Sequence, residues 1–165
     1  ENPVGITIAN GKIITNRTLE GSSYGLIGFN EDNTLVLLHN VTGESALEMG
    51  VRDAVTMAPF LIVNGKPAFT KGNGGWGYAA RTAIGQRKDG IVLFLVIDSN
   101  ATRTKGASMK DLVEIMQRYG AVNAANLDGG TSSAMVVEGT MINDPIDSVG
   151  RHRTRGIPTV FNVIP

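Results

Sequence analysis

The stretch that decides the fold runs from residue 91 to residue 128. It contains an apolar run, IVLFLVI (91–97), that ends at Asp98, then SMKDLVEIMQRYG (108–120), then AVNAANL (121–127), which ends at Asp128. The first run is continuously apolar and rich in β-branched residues, which is typical of a strand buried on both faces. The order strand, helix, strand predicts a βαβ-like unit. If its two strands are parallel neighbours, both aspartates open into one crevice at the strand ends, where open α/β sheets bind ligands.

The middle segment has the signals of a helix with defined ends. Ser108 is an N-cap residue with Asp111 three positions later, a variant of the capping box, and Gly120 fits the position after the last turn. The apolar residues between them recur at helical spacing and predict one buried face, made of Met109, Leu112, Val113 and Met116.

Turn-forming pairs divide the rest of the chain into short strands. Asn10-Gly11, Asn64-Gly65 and Asp89-Gly90 each lie beside apolar runs, which predicts β-hairpins, and a final strand is expected over residues 159–164. The predicted fold class is therefore α/β (α+β). It is a single domain over residues 1–165, with a mixed β-sheet, a few packed helices and Gly-rich hairpins.

Composition excludes several classes of function. Lys plus Arg (15) equals Asp plus Glu (15), so the chain lacks the basic excess of a general nucleic-acid binder. With no cysteine it has no disulfide, thiolate zinc site or cysteine nucleophile. There is no Gly-Lys-Ser or Gly-Lys-Thr phosphate loop, and no apolar run reaches the roughly 18 residues of a membrane span.

The loop after the third segment concentrates groups that can bind an anion or a sugar. It reads Asn126-Leu127-Asp128-Gly129-Gly130-Thr131-Ser132-Ser133. Adjacent glycines let a backbone approach a ligand closely, and their amides can form an anion-binding nest, while hydroxyls add donors. A tight turn between strands, with solvated hydroxyls, explains the same residues equally well.

These motifs resemble the phosphodiester glycosidase family. Asn-Leu-Asp-Gly-Gly (126–130) followed by hydroxyl residues is similar to the family signature, and Arg-Thr-Ala-Ile-Gly (81–85) is similar to a second family run. The strand that ends at Asp98, the helical segment and Arg153 before the last strand follow in the family order. The resemblance is good over residues 58–165 and weaker over the N-terminal third. Thr131 stands where a third glycine is common.

The resemblance implies a hydrolase that cleaves the bond between a sugar's anomeric carbon and a phosphodiester. The expected substrate is a sugar-phosphate small molecule or a glycan, in envelope or exported exopolysaccharide, and the expected location is extracytoplasmic, either secreted or in the cell envelope. The family usually has an Asn-Gly-Gly-x-Phe-like strand earlier in the domain, and this sequence has none. We therefore expect an upstream segment, or a second chain, to complete the phosphodiester glycosidase domain.

The same resemblance places roles on particular residues. A negatively charged diester calls for arginine or backbone donors against phosphate, and carboxylates can stabilise an oxocarbenium-like transition state or act as nucleophile or base. The expected catalytic residues are Asp128, Asp98 and Arg81, and Arg153 is expected to hold the phosphate together with Arg81. The expected substrate-binding residues are Asn126, Gly129, Gly130, Thr131, Ser132, Ser133, Thr82 and Arg153.

Alternative explanations remain open for these residues. Asp98 and Asp128 can serve as loop or turn residues, and Arg81 and Arg153 can be surface or ion-pair residues. A serine hydrolase built on Ser132 lacks the Gly-x-Ser-x-Gly elbow and would need His152 as its base. No organic cofactor and no metal ligand set is expected, although a divalent cation near Asp128 is compatible with the reaction. The rival function is a non-catalytic envelope module that binds phosphorylated glycans.

Overall fold

The computed structural model describes residues 2–17, 19, 23–99, 105–147 and 149–164. In chain order its elements are β1 (Ile6–Ala9), β2 (Lys12–Asn16), β3 (Gly25–Asn30), β4 (Leu35–Leu38), α1 (Gly43–Glu48), β5 (Val51–Met57), β6 (Phe60–Val63), β7 (Lys66–Pro67), β8 (Arg81–Arg87), β9 (Val92–Ile97), α2 (Met109–Arg118), β10 (Ala121–Asn126), the 3₁₀ turn Gly130–Ser132, β11 (Val136–Val137) and β12 (Thr140–Met141).

Within the described residues, the strands form two five-stranded sheets and a small hairpin. The first sheet has the order β2-β1-β5-β3-β4, the second has the order β7-β6-β10-β8-β9, and β11 pairs with β12. The single α+β domain that the sequence predicted is confirmed. Its hairpins are confirmed too, because Asn10-Gly11 joins β1 to β2, Asn64-Gly65 joins β6 to β7, and Asp89-Gly90 lies between β8 and β9.

Three apolar clusters hold the layers together. The buried face of α2 packs on the second sheet, as the helical spacing predicted, and Ala46 of α1 packs on the first sheet. A third cluster joins Ile27, Phe29 and Leu35 of the first sheet to Phe60, Ile84 and Ala125 of the second. The two sheets therefore pack face to face, with one helix on each outer side. Burying such side chains contributes about 25 cal/mol per Å² of apolar surface.

The ends of α2 match the sequence signals. The Ser108 hydroxyl accepts a hydrogen bond from the backbone N–H of Asp111 at 3.2 Å, and the Asp111 carboxylate accepts one from the backbone N–H of Ser108 at 2.8 Å. Gly120 follows the last turn with φ at +82°. The next residue begins β10, so the helix delivers the chain directly back into the second sheet.

The strand pairing differs from the expectation in two respects. β9 and β10 run in the same direction, but they are not neighbours, because β8 lies between them and pairs antiparallel with each. Every pairing within the two five-stranded sheets is antiparallel, so the expected mixed sheet is wrong in that detail. The short Asp89-Gly90 connection is the physical reason, since a tight hairpin turn can only join antiparallel strands.

The strand expected over residues 159–164 is also not observed. Those residues belong to no strand, and Phe161 packs against the core, with its ring meeting that of Phe29 edge to face at 5.9 Å. Pro158 opens the segment without a backbone donor, which removes one hydrogen bond that a ladder would need. Across the described ranges, no helix is long and apolar enough to cross a membrane.

Candidate functional site

The start of β8 lies beside the ends of β9 and β10, and this end of the second sheet brings the expected acids together. Arg81 at the start of β8 pairs with Ile97 at the end of β9, and Asn126 at the end of β10 pairs with Ala83. The backbone N–H of Leu127 continues this register by donating to the Thr82 carbonyl at 2.8 Å. Asp98 follows Ile97 and Asp128 follows Leu127, so both aspartates lie at this end of the sheet. With β8 between their strands, the two backbones are roughly 10 Å apart.

Asp128 is held by an arginine from the C-terminal segment. Arg155 donates from Nη2 to Oδ2 of Asp128 at 2.5 Å and from Nε to the hydroxyl of Ser132, also at 2.5 Å. Its backbone N–H reaches the Thr131 carbonyl at 3.4 Å. The Asp128 and Arg155 side chains are 42% and 44% exposed, so the pair is open to a ligand. We call Asp128, Ser132 and Arg155 the clasp.

The turn that carries the clasp is packed tightly against β8. The Gly130 N–H donates to the Ala80 carbonyl at 2.8 Å, and a Cβ on Gly129 would lie 2.9 Å from the same oxygen. The N–H groups of Ser132 and Ser133 close the 3₁₀ turn on the carbonyls of Gly129 and Gly130, each at 3.1 Å. One amide of the expected anion nest is thus used inside the protein. Substrate contact by the glycines and by Thr131 stays a prediction.

Arg81 lies inside the protein beside this edge. Its side chain donates from Nε to the Ala107 carbonyl at 3.0 Å and from Nη2 to the carbonyls of Trp76 and Gly77 at 2.9 and 3.0 Å. Burial lowers the pKa of the Arg81 guanidinium from its ordinary value, since desolvation disfavours the charged form. These contacts attach the 76–77 loop to the start of α2. Direct phosphate contact by Arg81 stays a prediction.

Arg153 is engaged with a different acid from the one that Arg155 holds. Its Nε donates to Oδ2 of Asp147 at 2.8 Å, and Arg151 donates to the same oxygen at 3.0 Å. The backbone N–H of Arg151 is the largest cause of a pKa of Asp147 well below its usual range, and the Arg153 side chain and the Val149 N–H lower it further. The Arg153 side chain is 56% exposed, and its role as a phosphate ligand stays a prediction.

Asp98 contacts a turn that the sequence did not single out. Its Oδ1 accepts from Nδ2 of Asn143 at 2.7 Å, and its Oδ2 accepts from the backbone N–H of Asp144 at 2.9 Å. The same Asn143 amide donates to the Ser133 carbonyl at 2.9 Å and accepts from the Met135 N–H at 2.8 Å. Asp98 is therefore tied through Asn143 to the turn that carries the clasp.

Buried oxygens without a protein partner concentrate on the expected site residues. Four such side-chain oxygens occur in the described part of the chain, and three of them belong to Thr82, Asn126 and Ser133. The other half of the Asn126 amide donates to the Ala58 carbonyl at 2.7 Å. Buried polar atoms are nearly always satisfied in proteins, so these three oxygens are candidates for contact with water or a ligand.

A large cleft opens beside the clasp. It has a volume of about 850 Å³, and Asp128, Ser132 and Thr82 lie on its wall together with apolar residues, among them Phe94, Val96, Met135 and Phe161. A cleft of this size accommodates a sugar and a substituted phosphate. Among the residues with described positions, no three His, Cys, Asp or Glu side chains are grouped so as to hold a metal ion. That the reaction is compatible with a divalent cation near Asp128, but does not require one, stays a prediction.

The sequence reading missed the residues that fix the acids. Arg155 belongs to the basic run 151–155, and nothing in that run distinguishes it from Arg153 two positions earlier. Asn143 lies in an Asn-Asp-Pro sequence that is typical of a turn. A helpful signal would have been the alternation of Arg153 and Arg155 along an extended segment, because such residues face the same side.

The fold and the sequence profile together define a phosphodiester glycosidase domain. The sequence profile of the phosphodiester glycosidase family matches residues 1–164, and the chain belongs to that family. It is 31% identical over 129 residues to the SPbeta prophage-derived uncharacterized protein YomE of Bacillus subtilis (strain 168). It is 36% identical over 69 residues to the N-acetylglucosamine-1-phosphodiester alpha-N-acetylglucosaminidase of Bos taurus. The match covers 74% of this chain in the first case and 42% in the second.

A solved structure has the same fold. The catalytic domain of the zebrafish N-acetylglucosamine-1-phosphodiester alpha-N-acetylglucosaminidase, auto-inhibited by its pro-peptide, superposes with a TM-score of 0.70 at 23% sequence identity, over 86% of this chain and 50% of that one. The chain spans about a fifth of the Bacillus protein and 13% of the bovine enzyme.

Proposed function

We propose that this chain carries the active site of a hydrolase that releases a sugar from the phosphodiester on its anomeric carbon. Family membership supports a glycosidase-type function, and the bovine relative is named for that bond. The observation that carries the proposal is the clasp. A carboxylate and a guanidinium stand side by side, both nearly half exposed, where three strands of the second sheet end, and the carboxylate lies on the wall of a cleft.

The two charges of the clasp match the two charges of the reaction. Water adds its oxygen to the anomeric carbon, the bond from that carbon to the phosphate oxygen breaks, and its electron pair stays on the phosphate. The products are a free sugar and a phosphomonoester. Asp128 stabilises the positive charge that develops on the sugar, and Arg155 neutralises the phosphate as it leaves. A substituted phosphate is a good leaving group, so a strong general acid is not needed.

The proposed setting is an envelope or exported glycan outside the cytoplasm. Its support is the resemblance of the motifs around Arg81 and Asp128 to those of the phosphodiester glycosidase family. Because the chain spans 20% of the Bacillus protein and 13% of the bovine enzyme, the sugar and the aglycone are identified by experiment. A panel of sugar-1-phosphodiesters that varies the sugar and the aglycone separately would identify it.

The deciding experiment compares wild type with Asp128→Asn in the full-length protein. Free sugar released from each diester is measured, and thermal unfolding is run on the same samples. The variant keeps the shape of the side chain, so folding should be nearly intact while kcat falls by at least a hundredfold, about 2.7 kcal/mol of barrier stabilisation. Wild-type protein that binds phosphorylated glycans without cleaving any diester would favour the binding module. A variant with unchanged turnover per folded molecule would make Asp128 a turn residue.

A further inference from the structure

A carboxylate and an imidazole form a pair in the turn that contacts Asp98. His152 contacts Oδ1 of Asp144 through Nδ1 at 2.7 Å, and both side chains are more than 60% exposed. The Asp144 backbone N–H donates to Asp98, the expected catalytic acid at the end of β9. The three residues therefore form a chain of contacts that begins at the site edge and ends on an imidazole.

The contact with Asp144 fixes which ring nitrogen of His152 is available. A carboxylate only accepts hydrogen bonds, so Nδ1 is the donor, and in the neutral ring Nε2 then carries the free lone pair. The hairpin around the pair is held by the Arg153 N–H on the Pro145 carbonyl and the Asp147 N–H on the Arg151 carbonyl, both at 2.9 Å. An imidazole oriented by a carboxylate, with its second nitrogen accessible, is the arrangement of a general base.

Two hydrogen bonds place His152 near the strand end that carries Asp98. The imidazole is 2.7 Å from the Asp144 carboxylate, and the Asp144 backbone N–H is 2.9 Å from the Asp98 carboxylate. Asp128, which Arg155 contacts, lies at the end of β10 on the same side of the sheet. The anomeric carbon is joined to the phosphate through a single oxygen, so a phosphate bound at Arg155 brings that carbon and its attacking water to these strand ends.

We infer that His152 is the proton acceptor of the proposed reaction, oriented by Asp144, with Asp98 as a positioning residue behind them. The inference rests on the proposed function. As water attacks the anomeric carbon, its proton passes to Nε2 of His152, and the electron pair of the breaking carbon–oxygen bond goes to the phosphomonoester. The imidazolium then returns the proton to solvent. Asp98 acts on the imidazole through the backbone of Asp144.

The charged groups around His152 decide how its replacement is tested. In the described residues they are Asp144 in direct contact, then Asp98, Asp147, Arg151 and Arg153. Because a base must be neutral to accept a proton, kcat/KM of the wild type should fall on the acid side of its pH profile. His152→Gln should lose this acid limb and lower kcat/KM by about a hundredfold at neutral pH.

Two further variants separate a proton-transfer role from a structural one. His39→Gln replaces the other histidine of the chain, which contacts the Tyr24 carbonyl and stacks on Phe60, and it should keep the wild-type profile. Activity of His152→Ala should be partly restored by added imidazole, which a structural role would not allow. A His152→Gln protein that keeps both the rate and the acid limb overturns the inference and leaves the proposed hydrolysis standing. Wild-type protein without turnover overturns both.

Discussion

Replacing Arg155 tests whether the clasp binds phosphate or only ties down the C-terminal segment. In Arg155→Ala, Asp128 and Ser132 each lose a donor at 2.5 Å. The ion pair is nearly half exposed, and such pairs contribute about 0–1 kcal/mol to stability, so the melting temperature should fall by no more than about 4 °C. A charge-assisted contact in the transition state is stronger, about 1.5–3 kcal/mol, which predicts a loss of roughly 10- to 150-fold in kcat/KM.

The chain offers a matched control for this variant. Arg87 forms an ion pair with Asp89 at 2.6 Å, with side chains 43% and 48% exposed, at the far end of β8. Arg87→Ala should therefore show a similar small change in melting temperature and wild-type kinetics. Arg155→Lys keeps the charge, but its single nitrogen cannot hold Asp128 and Ser132 in the same geometry, so it should recover only part of the activity.

The assay is sugar release across a range of diester concentrations, with thermal unfolding of the same samples. Combining Arg155→Ala with Asp128→Asn adds a second measurement. If the two residues act as a unit, the double variant should lose less than the sum of the two single losses. Arg155→Ala with kcat/KM within twofold of Arg87→Ala would refute a role for Arg155 in binding the phosphate.

Three other predictions follow from contacts at the site. Gly129→Ala places a Cβ 2.9 Å from a backbone carbonyl oxygen and should cost about 1–3 kcal/mol of stability. Gly156→Ala is the control and should cost little, because a Cβ there meets nothing within 4 Å. Chemical denaturation of both variants checks this. The pKa of Asp147 is lowered mainly by the hydrogen bond from the Arg151 N–H. The Asp147 carboxylate therefore stabilises the fold above the ordinary aspartate pKa, and this stabilisation is lost as the pH falls. The difference in melting temperature between wild type and Asp147→Asn should shrink in acid. In Arg81→Lys the ammonium cannot span the three carbonyls that the guanidinium reaches, so the variant should lose at least about 1.5 kcal/mol of stability. Weaker phosphate binding at unchanged stability would instead support the expected contact between Arg81 and phosphate.

Local patterns in the sequence were sufficient for β9, α2, β10 and three hairpin turns, and for the end of the sheet where the acids lie, but not for residues 159–164. The continuous apolar run before Asp98 and the capped, one-sided helix from Ser108 carry their structure in neighbouring residues, and both are observed. The order of strands depends on pairing between distant residues. Both strands lie in one sheet, as expected, but periodicity could not decide whether they are neighbours, and β8 lies between them.

The partners of the charged residues lay beyond the sequence for the same reason. Arg153 and Arg155 have similar local surroundings, and only the fold brings Asp147 to one and Asp128 to the other. Asn143 contacts Asp98 across 45 positions of the chain. A motif identifies the residue types that a reaction needs, whereas the contacts that orient them arise from tertiary packing.

The antiparallel order of the second sheet leaves the strand ends opposite the site available for engineering. The turns at Asn64-Gly65, Lys88 to Gly90 and Gly120 all lie there, at the other end of strands that reach the clasp. β8 alone separates the two edges by roughly 20 Å. Because the chain has no cysteine, a single cysteine in place of the exposed Lys88 would be its only thiol. A dye or a surface linker attached at that position would orient the protein with its cleft towards solvent and leave every contact of the clasp in place.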